Sequence, residues 1–464
     1  MKQSRRGVAI VIPNLDVLGG MERQAKLLAD RLATRGVPVT IVTTSPEPPL
    51  AFWPRTIRRF HERQGHVEIF RAPNFANWTQ AESRRLAEFV ALWVLMRRRK
   101  RIGVLYAVQF TGATHAAAAV RVTGLPAALK FACAGSYGDF ALLAQDSEAE
   151  AIRETLRLMD RYVIISEAIG KEAQAAGLDP ARFVRIRNGV DARRFSPEGS
   201  SASLEGRQTV LFVGRLDEQK RITLLVRSFA KVVAEVPEAR LAIAGSGPCL
   251  DECRALVGEL GISDEVAFLG PRADVEALQR AASVFVLPSV SEGLPNALLE
   301  ALACGTPSVA TDIPGTRDVV SHEKEALLVP VDDVDALAGA IVRLLRDREL
   351  ARRLAAAGRA RIESEFDIER VTEQYAALFS ELAARPRVRT SDLAVEIRFV
   401  RAFVPRIARL LLDVARIEAR DGVTRAVVSI KRWLGIEGDI VRRSGAATRA
   451  APKVGLLAPP SARR

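Results

Sequence analysis

Two glutamates eight positions apart, Glu292 and Glu300, lie in the run S-E-G-L-P-N-A-L-L-E-A-L-A-C-G-T-P from Ser291 to Pro307. The first sits in a Gly/Pro loop. The second falls in a helix predicted over Asn296–Ala303, where Ala and Leu dominate and Pro295 suits a first turn that has no intrahelical partner for an N–H. Cys304-Gly305 ends the run with the residue that tolerates a left-handed cap. A loop that feeds a helix N-terminus presents free backbone N–H groups and the positive end of the dipole, which favours an anion. Gly293, Leu294, Pro295 and Asn296 are the candidate backbone facing that anion. One carboxylate then stands at the mouth of the anion site and the other about one turn inside the helix. Each can accept hydrogen bonds from a separate group of hydroxyls. A nucleotide-sugar, with hydroxyls on both sides of a diphosphate, has that form.

Two further loops carry complementary groups. Gly19-Gly20-Met21-Glu22 follows the first strand-like run and opens a helix, so a phosphate can approach the backbone closely. Its spacing is not the G-x-G-x-x-G of dinucleotide binding. In Gly214-Arg215-Leu216-Asp217-Glu218-Gln219-Lys220-Arg221, a guanidinium and an ammonium five residues apart can clamp a diphosphate from two directions. No D-x-D motif stands at a strand end. Asp332-Asp333 read instead as the N-terminal acids of a helix, so no metal and no other cofactor is expected.

In this context the Ser291–Pro307 run resembles the E-x7-E signature of retaining glycosyltransferases of family 4, which have the GT-B fold. The resemblance covers roughly residues 7 to 384 and includes G-G-x-E at Gly19–Glu22, G-R-L-x-x-x-K at Gly214–Lys220 and N-G-V-D…F-S-P at Asn188–Pro197. It implies two Rossmann-like, doubly wound α/β domains facing across a cleft. It also implies transfer of a hexose, with retention and without metal, from a nucleotide-diphosphate sugar to a glycan or lipid-linked acceptor in cell-surface polysaccharide or glycolipid synthesis. UDP-sugars and GDP-mannose are the candidate donors. On this resemblance Gly19, Gly20, Arg215 and Lys220 bind the donor diphosphate, and Leu269 and Gly270 neighbour the base. Glu292 contacts the hydroxyls of the transferred sugar and Glu300 the ribose. The chain departs from the pattern twice. Arg221 stands where Gly often follows the Lys, and the stretch Lys130–Asp139 lacks the His that many relatives place facing the donor sugar. Asp139, with Ser136, is the candidate catalytic substitute, and an N-capping role for Asp139 is the competing reading. His61, His66, His115 and His322 all lie elsewhere, and His115 reads as structural.

The elements that must position these residues read as two series of strands separated by helical patterns. Val8–Ile12, Val39–Thr43, Val67–Phe70, Val104–Val108, Ala128–Ala132 and Tyr162–Ser166 form the first. Thr209–Val213, Leu241–Ala244, Val266–Leu269, Val284–Leu287, Ser308–Thr311 and Ala326–Val329 form the second. The expected bounds are an acceptor-side domain at 1–197, a linker at 198–208, a donor domain at 209–365 and a returning helix at 366–384. A basic helical extension follows at 385–464.

With 464 residues the chain exceeds the size of a single core. Four cysteines form neither a metal-ligand pattern nor a disulfide framework, which points to a reducing compartment. The short apolar run after the N-terminus is too brief for a signal peptide, and no apolar run reaches membrane-span length, so a cytoplasmic location is expected. Net charge is +13, yet residues 381–464 hold 18 Lys/Arg against 8 Asp/Glu. The body is therefore close to neutral, which argues against nucleic-acid binding. In the extension, Phe399, Phe403, Ile407, Leu410, Leu411, Val414 and Ile417 recur at helical spacing beside arginines. Such a helix either lies on an anionic membrane surface or packs on the enzyme body, and the composition of residues 444–464 suggests disorder. Two rival functions are a nucleotide-sugar epimerase on the same architecture and a membrane adaptor built on the tail.

Overall fold

The computed structural model describes residues 6–15, 19–44, 61–72, 80–204 and 208–391, and nearly all of the basic extension lies outside them. Apolar runs without alternation form the strands, as required where helices cover both faces of a sheet. β1 (Gly7–Val11) is buried at every position. It pairs in parallel with β2 (Val39–Thr44), and Ile10 stands opposite Ile41. A hairpin of β3 (His61–Gln64) and β4 (Val67–Ala72) extends the sheet beyond β2, with β3 alone antiparallel. On the other side of β1 come β5 (Ile102–Val108), β6 (Ala127–Lys130), β7 (Arg161–Ile164) and β8 (Phe183–Arg185), giving the order β3-β4-β2-β1-β5-β6-β7-β8.

The second sheet is wholly parallel. It contains β9 (Gln208–Val213), β10 (Ala239–Ala244), β11 (Val266–Gly270), β12 (Val284–Leu287), β13 (Ser308–Thr311) and β14 (Leu327–Val329), in the order β11-β10-β9-β12-β13-β14. Strand order turns back at β1 in the first sheet and at β9 in the second. Crevices open beyond the C-terminal strand ends at such switch points. The core of the second sheet is built from Phe212, Phe229, Leu241 and Ile341, all fully buried.

Two crossings stitch the sheets together. Val190 of the N-G-V-D stretch accepts from Ile368 N at 3.0 Å and donates to the Phe366 carbonyl at 2.9 Å. The helix Ile368–Ala383 then adds Val371, Tyr375, Leu378, Phe379 and Leu382 to the core of the first sheet. There the Tyr106 and Tyr375 hydroxyls meet at 2.9 Å. Among the described residues no helix is long and apolar enough to cross a membrane.

β3 and β8 were not expected from the sequence. β3 reads H-E-R-Q, exposed or half-buried throughout, so no apolar period marks it. Its signal lay in the turn, where Gly65 takes a positive φ of 58°, as the first central position of a tight hairpin requires.

Candidate active site

Four loops at C-terminal strand ends converge. Two come from the first sheet, after β1 and β6, and two from the second, after β9 and β12.

The loop after β12 reaches the helix Asn296–Ala303, with Pro295 as its N-cap in an extended conformation. One residue before the predicted first turn, Pro295 still costs the helix no hydrogen bond. Gly305 closes the other end at φ 70°. Within the loop the Glu292 carboxylate accepts from Lys220 Nζ at 2.5 Å and from Ser289 Oγ at 2.7 Å. Its side chain is 9% exposed and that of Lys220 19%. The two candidates therefore form one ion pair. Lys220 is presented by a short 3-10 turn whose N-cap, Asp217, accepts from Lys220 N at 3.1 Å. The next residue, Arg221, is left-handed at φ 49°. A glycine would meet no strain there, which accounts for the departure noted at this position. Arg215 is 62% exposed and lies 2.6 Å from Asp217 Oδ2, without hydrogen-bond alignment.

Glu300 lies deeper. It is 8% exposed, Oε1 stands 3.2 Å from Arg23 Nη1 of the first domain, and Oε2 has no partner. Burial raises its pKa, opposed by the charges of Arg23 and Arg194. A buried carboxylate with one oxygen free and a raised affinity for protons is suited to accept ligand hydroxyls.

From the first domain, Gly19-Gly20 opens the helix Gly20–Thr34. Asn296 Nδ2 donates to the Gly20 carbonyl at 2.9 Å, and a Cβ on Gly20 would fall 2.5 Å from that nitrogen. Glu22 folds back over Gly19, with its pKa raised by burial and opposed in part by the charge of Arg215. Gly293 makes the second close approach: a Cβ there would fall 2.1 Å from the Ala132 carbonyl. Of the other predicted donor residues, Leu294 is buried and its carbonyl accepts from Asn188 at 3.3 Å.

The loop after β6 differs from expectation at Asp139. The residue is 2% exposed, and its Oδ2 accepts from Ala132 N at 2.6 Å and Cys133 N at 3.1 Å. It is the first residue of the helix Asp139–Ala144 rather than its N-cap, which is Gly138. Burial pushes its pKa up to about 6. The carboxylate thus braces the loop. The side chain that meets the Glu292 loop is Cys133, half-buried with its thiol pushed up to about 11 by burial and by Glu292 and Asp139. Ser291 Oγ donates to the Ala134 carbonyl at 2.6 Å, closing the contact between the domains. Ser136 is exposed beside it. His115 is buried in the helix Gln109–Thr123, its pKa pushed down to about 3. Leu269 and Gly270 end β11, the outermost strand, two strands from β9.

Sequence reasoning missed Ser289, Arg23, Gln24, Lys130 and Asn188. The first lies three residues before Glu292, where its signal was adjacency alone. Arg23, Gln24 and Asn188 act across the domain boundary, and Lys130 reaches it through Asn188.

The description "Glycosyltransferase Family 4" fits residues 18–194, and "Glycosyl transferases group 1" fits residues 198–361. Only Phe195–Pro197 separates the two. The chain belongs to glycosyltransferase family 4. An exopolysaccharide phosphotransferase of Streptomyces coelicolor is 35% identical over 225 residues, 48% of this chain and 22% of that one. An uncharacterized glycosyltransferase of Methanocaldococcus jannaschii is 27% identical, covering 71% of this chain and 86% of that one. The family 4 chain spans about half the length, or less, of most of the curated relatives it matches. Among solved structures, sucrose-phosphate synthase of Thermosynechococcus elongatus superposes with a TM-score of 0.66 at 22% identity, over 82% of this chain and 100% of that one. The fold of this family 4 member is GT-B.

Proposed function

We propose that the protein is a retaining hexosyltransferase that moves a sugar from a nucleotide diphosphate to a glycan or lipid-linked acceptor. Residues 1–197 take the acceptor side and residues 209–365 the donor side. The observation that carries this reading is the Lys220–Glu292 pair at a helix N-terminus, with the unpartnered Glu300 Oε2 farther along the same helix. As the bond from the anomeric carbon to phosphate breaks, its electron pair passes to the diphosphate. Lys220, Arg215 and the first-turn amides after Pro295 offset that charge, so no metal is called for. Glu292 accepts from hydroxyls of the sugar as it becomes oxocarbenium-like, and Glu300 accepts from the ribose. The acceptor oxygen bonds to the anomeric carbon from the face the diphosphate leaves, and its proton goes to the departing phosphate oxygen.

A cytoplasmic location against an anionic membrane suits a lipid-linked acceptor. Arg6, Arg99, Lys100, Arg101, Arg387 and Arg389 gather at the N-terminal strand ends, opposite the cleft. Arg387 Nη2 donates to the Ile102 carbonyl at 2.7 Å, and burial with Arg6 and Arg389 lowers its pKa.

A thermal-shift screen of nucleotide-sugars tests the donor half, because a bound donor stabilises the fold by mass action. Transfer with the product anomer retained, unaffected by a chelator, is the expected outcome. Conversion of donor to its epimer without acceptor would replace the reading with an epimerase.

A further inference from the structure

Lys130 closes β6, is 5% exposed and pairs with no carboxylate among the described residues. Burial alone pushes its pKa down to about 7. It lines a small cavity beneath the helix Gly20–Thr34 together with Tyr106, Tyr375 and Gln24. Its Nζ donates to Asn188 Oδ1 at 2.7 Å. Asn188, in the N-G-V-D stretch between the sheets, is 6% exposed. Its Nδ2 donates to Asn296 Oδ1 at 3.0 Å and to the Leu294 carbonyl at 3.3 Å. Asn296 in turn donates to the Gly20 carbonyl at 2.9 Å and accepts from Gln24 Nε2 at 3.2 Å. Gln24 is held by both backbone groups of Gly189.

The direction of this chain is fixed at both ends: Lys130 Nζ donates to Asn188 Oδ1 at one end, and the acceptor-only Leu294 and Gly20 carbonyls receive the amide nitrogens at the other. Protonated, the Lys130 amine has three donors and no acceptor, whereas an amide can turn either end toward a neighbour. Lys130 compels Asn188 to present oxygen to it. The Asn188 nitrogen must then point at Asn296 and Leu294, and Asn296 must point its own nitrogen at Gly20. With either amide reversed, like groups would face one another in a buried setting, and each polar group left unpaired there is destabilising.

We propose that Lys130 is a positioning residue for the donor: through Asn188 it holds the first turn of the helix Asn296–Ala303 against the Gly19-Gly20 turn. The two backbone segments proposed to face the diphosphate are thereby kept in register although Lys130 touches neither. This inference rests on the nucleotide-sugar reading of that site.

Asn188→Asp is the decisive variant. The carboxylate still accepts from Lys130, so the fold survives, but it cannot donate to Asn296 or Leu294. We expect a melting temperature within a few degrees of the wild type, a donor KM raised about tenfold and kcat within about threefold. Lys130→Met, which leaves the Asn188 amide without its donor, should raise KM similarly. Hydrogen exchange of the donor-free variants provides a readout independent of activity, with faster exchange expected in the segments 20–24 and 294–300. A folded Asn188→Asp protein with unchanged KM and exchange would overturn the proposal, as would a folded Lys130→Met protein with unchanged KM and exchange. Wild-type protein that neither binds nor turns over any nucleotide-sugar would instead overturn the functional reading, while the exchange arm still decides whether Lys130 sets the register.

Discussion

Lys220 and Glu292 come from different strand-to-helix loops, 72 residues apart in sequence, and meet at 2.5 Å. In the absence of donor each neutralises the other. On the proposed donor reading, a bound diphosphate would compete with Glu292 for the ammonium, with the carboxylate and the phosphate on opposite sides of one cation.

Glu292→Ala is therefore expected to cut sugar transfer by about 10²-fold or more, the size of effect seen when a preorganised electrostatic group is removed. Nucleotide binding should fall much less, since Lys220 is then freed for phosphate. Steady-state transfer together with calorimetry of the nucleotide diphosphate checks both halves, and unimpaired transfer would remove Glu292 from the site.

Arg215 is mostly exposed, lies beside Asp217 and also acts on the Glu22 carboxylate. Its replacement by Ala should weaken donor affinity about tenfold, in keeping with the loss of a charge-assisted hydrogen bond. Calorimetry showing equal affinity for wild type and variant would exclude it as a diphosphate ligand.

With Glu300 holding the ribose as proposed, donor binding should depend on pH. Burial raises its pKa, and only the ionised form offers both oxygens as acceptors. Donor affinity should therefore rise as pH increases through that pKa and then level off. Glu300→Gln should bind more weakly and show a flat profile over the same range.

Gly293 limits how closely the domains approach. A methyl group there meets the Ala132 carbonyl at 2.1 Å, so Gly293→Ala must part the Glu292 loop from the loop after β6. Transfer should be nearly abolished while thermal stability changes little, because each sheet keeps its own core. Small-angle scattering of the variant should show a larger radius of gyration.

Asp139 and Lys130 give stability slopes of opposite sign. The Asp139 pKa is raised from 3.8 to about 6, so the folded state holds the extra proton and stability falls as pH rises across that window. The Lys130 pKa is lowered from 10.5 to about 7, so the unfolded state holds the extra proton and stability rises with pH between those values. Denaturant melts across pH should lose the first slope in Asp139→Asn and the second in Lys130→Met.

Much of the site was legible because its signals are local. Arg215 and Lys220 share one loop, and Glu292 and Glu300 flank one helix start, so spacing and capping chemistry placed them. Arg221 shows the same principle in reverse, since a left-handed backbone filled by Arg reads only as a departure until φ is known. Asp139 could not be resolved in this way. Whether a carboxylate in a Gly-rich turn reaches outward or folds onto Ala132 N and Cys133 N depends on which way the loop closes.

The sequence by itself determined the two series of parallel strands, apart from β3 and β8, and named the candidate donor-side groups. These follow from apolar runs, glycines and caps acting within a few residues of each other. Only the tertiary structure decided that Lys220 answers Glu292, that Cys133 meets the Glu292 loop while Asp139 folds inward, and that Lys130 and Asn296 are joined through Asn188. Those relationships join residues tens to hundreds of positions apart. They exist because two separately folded sheets bring their C-terminal edges together, and a single chain read in order carries no record of that distance.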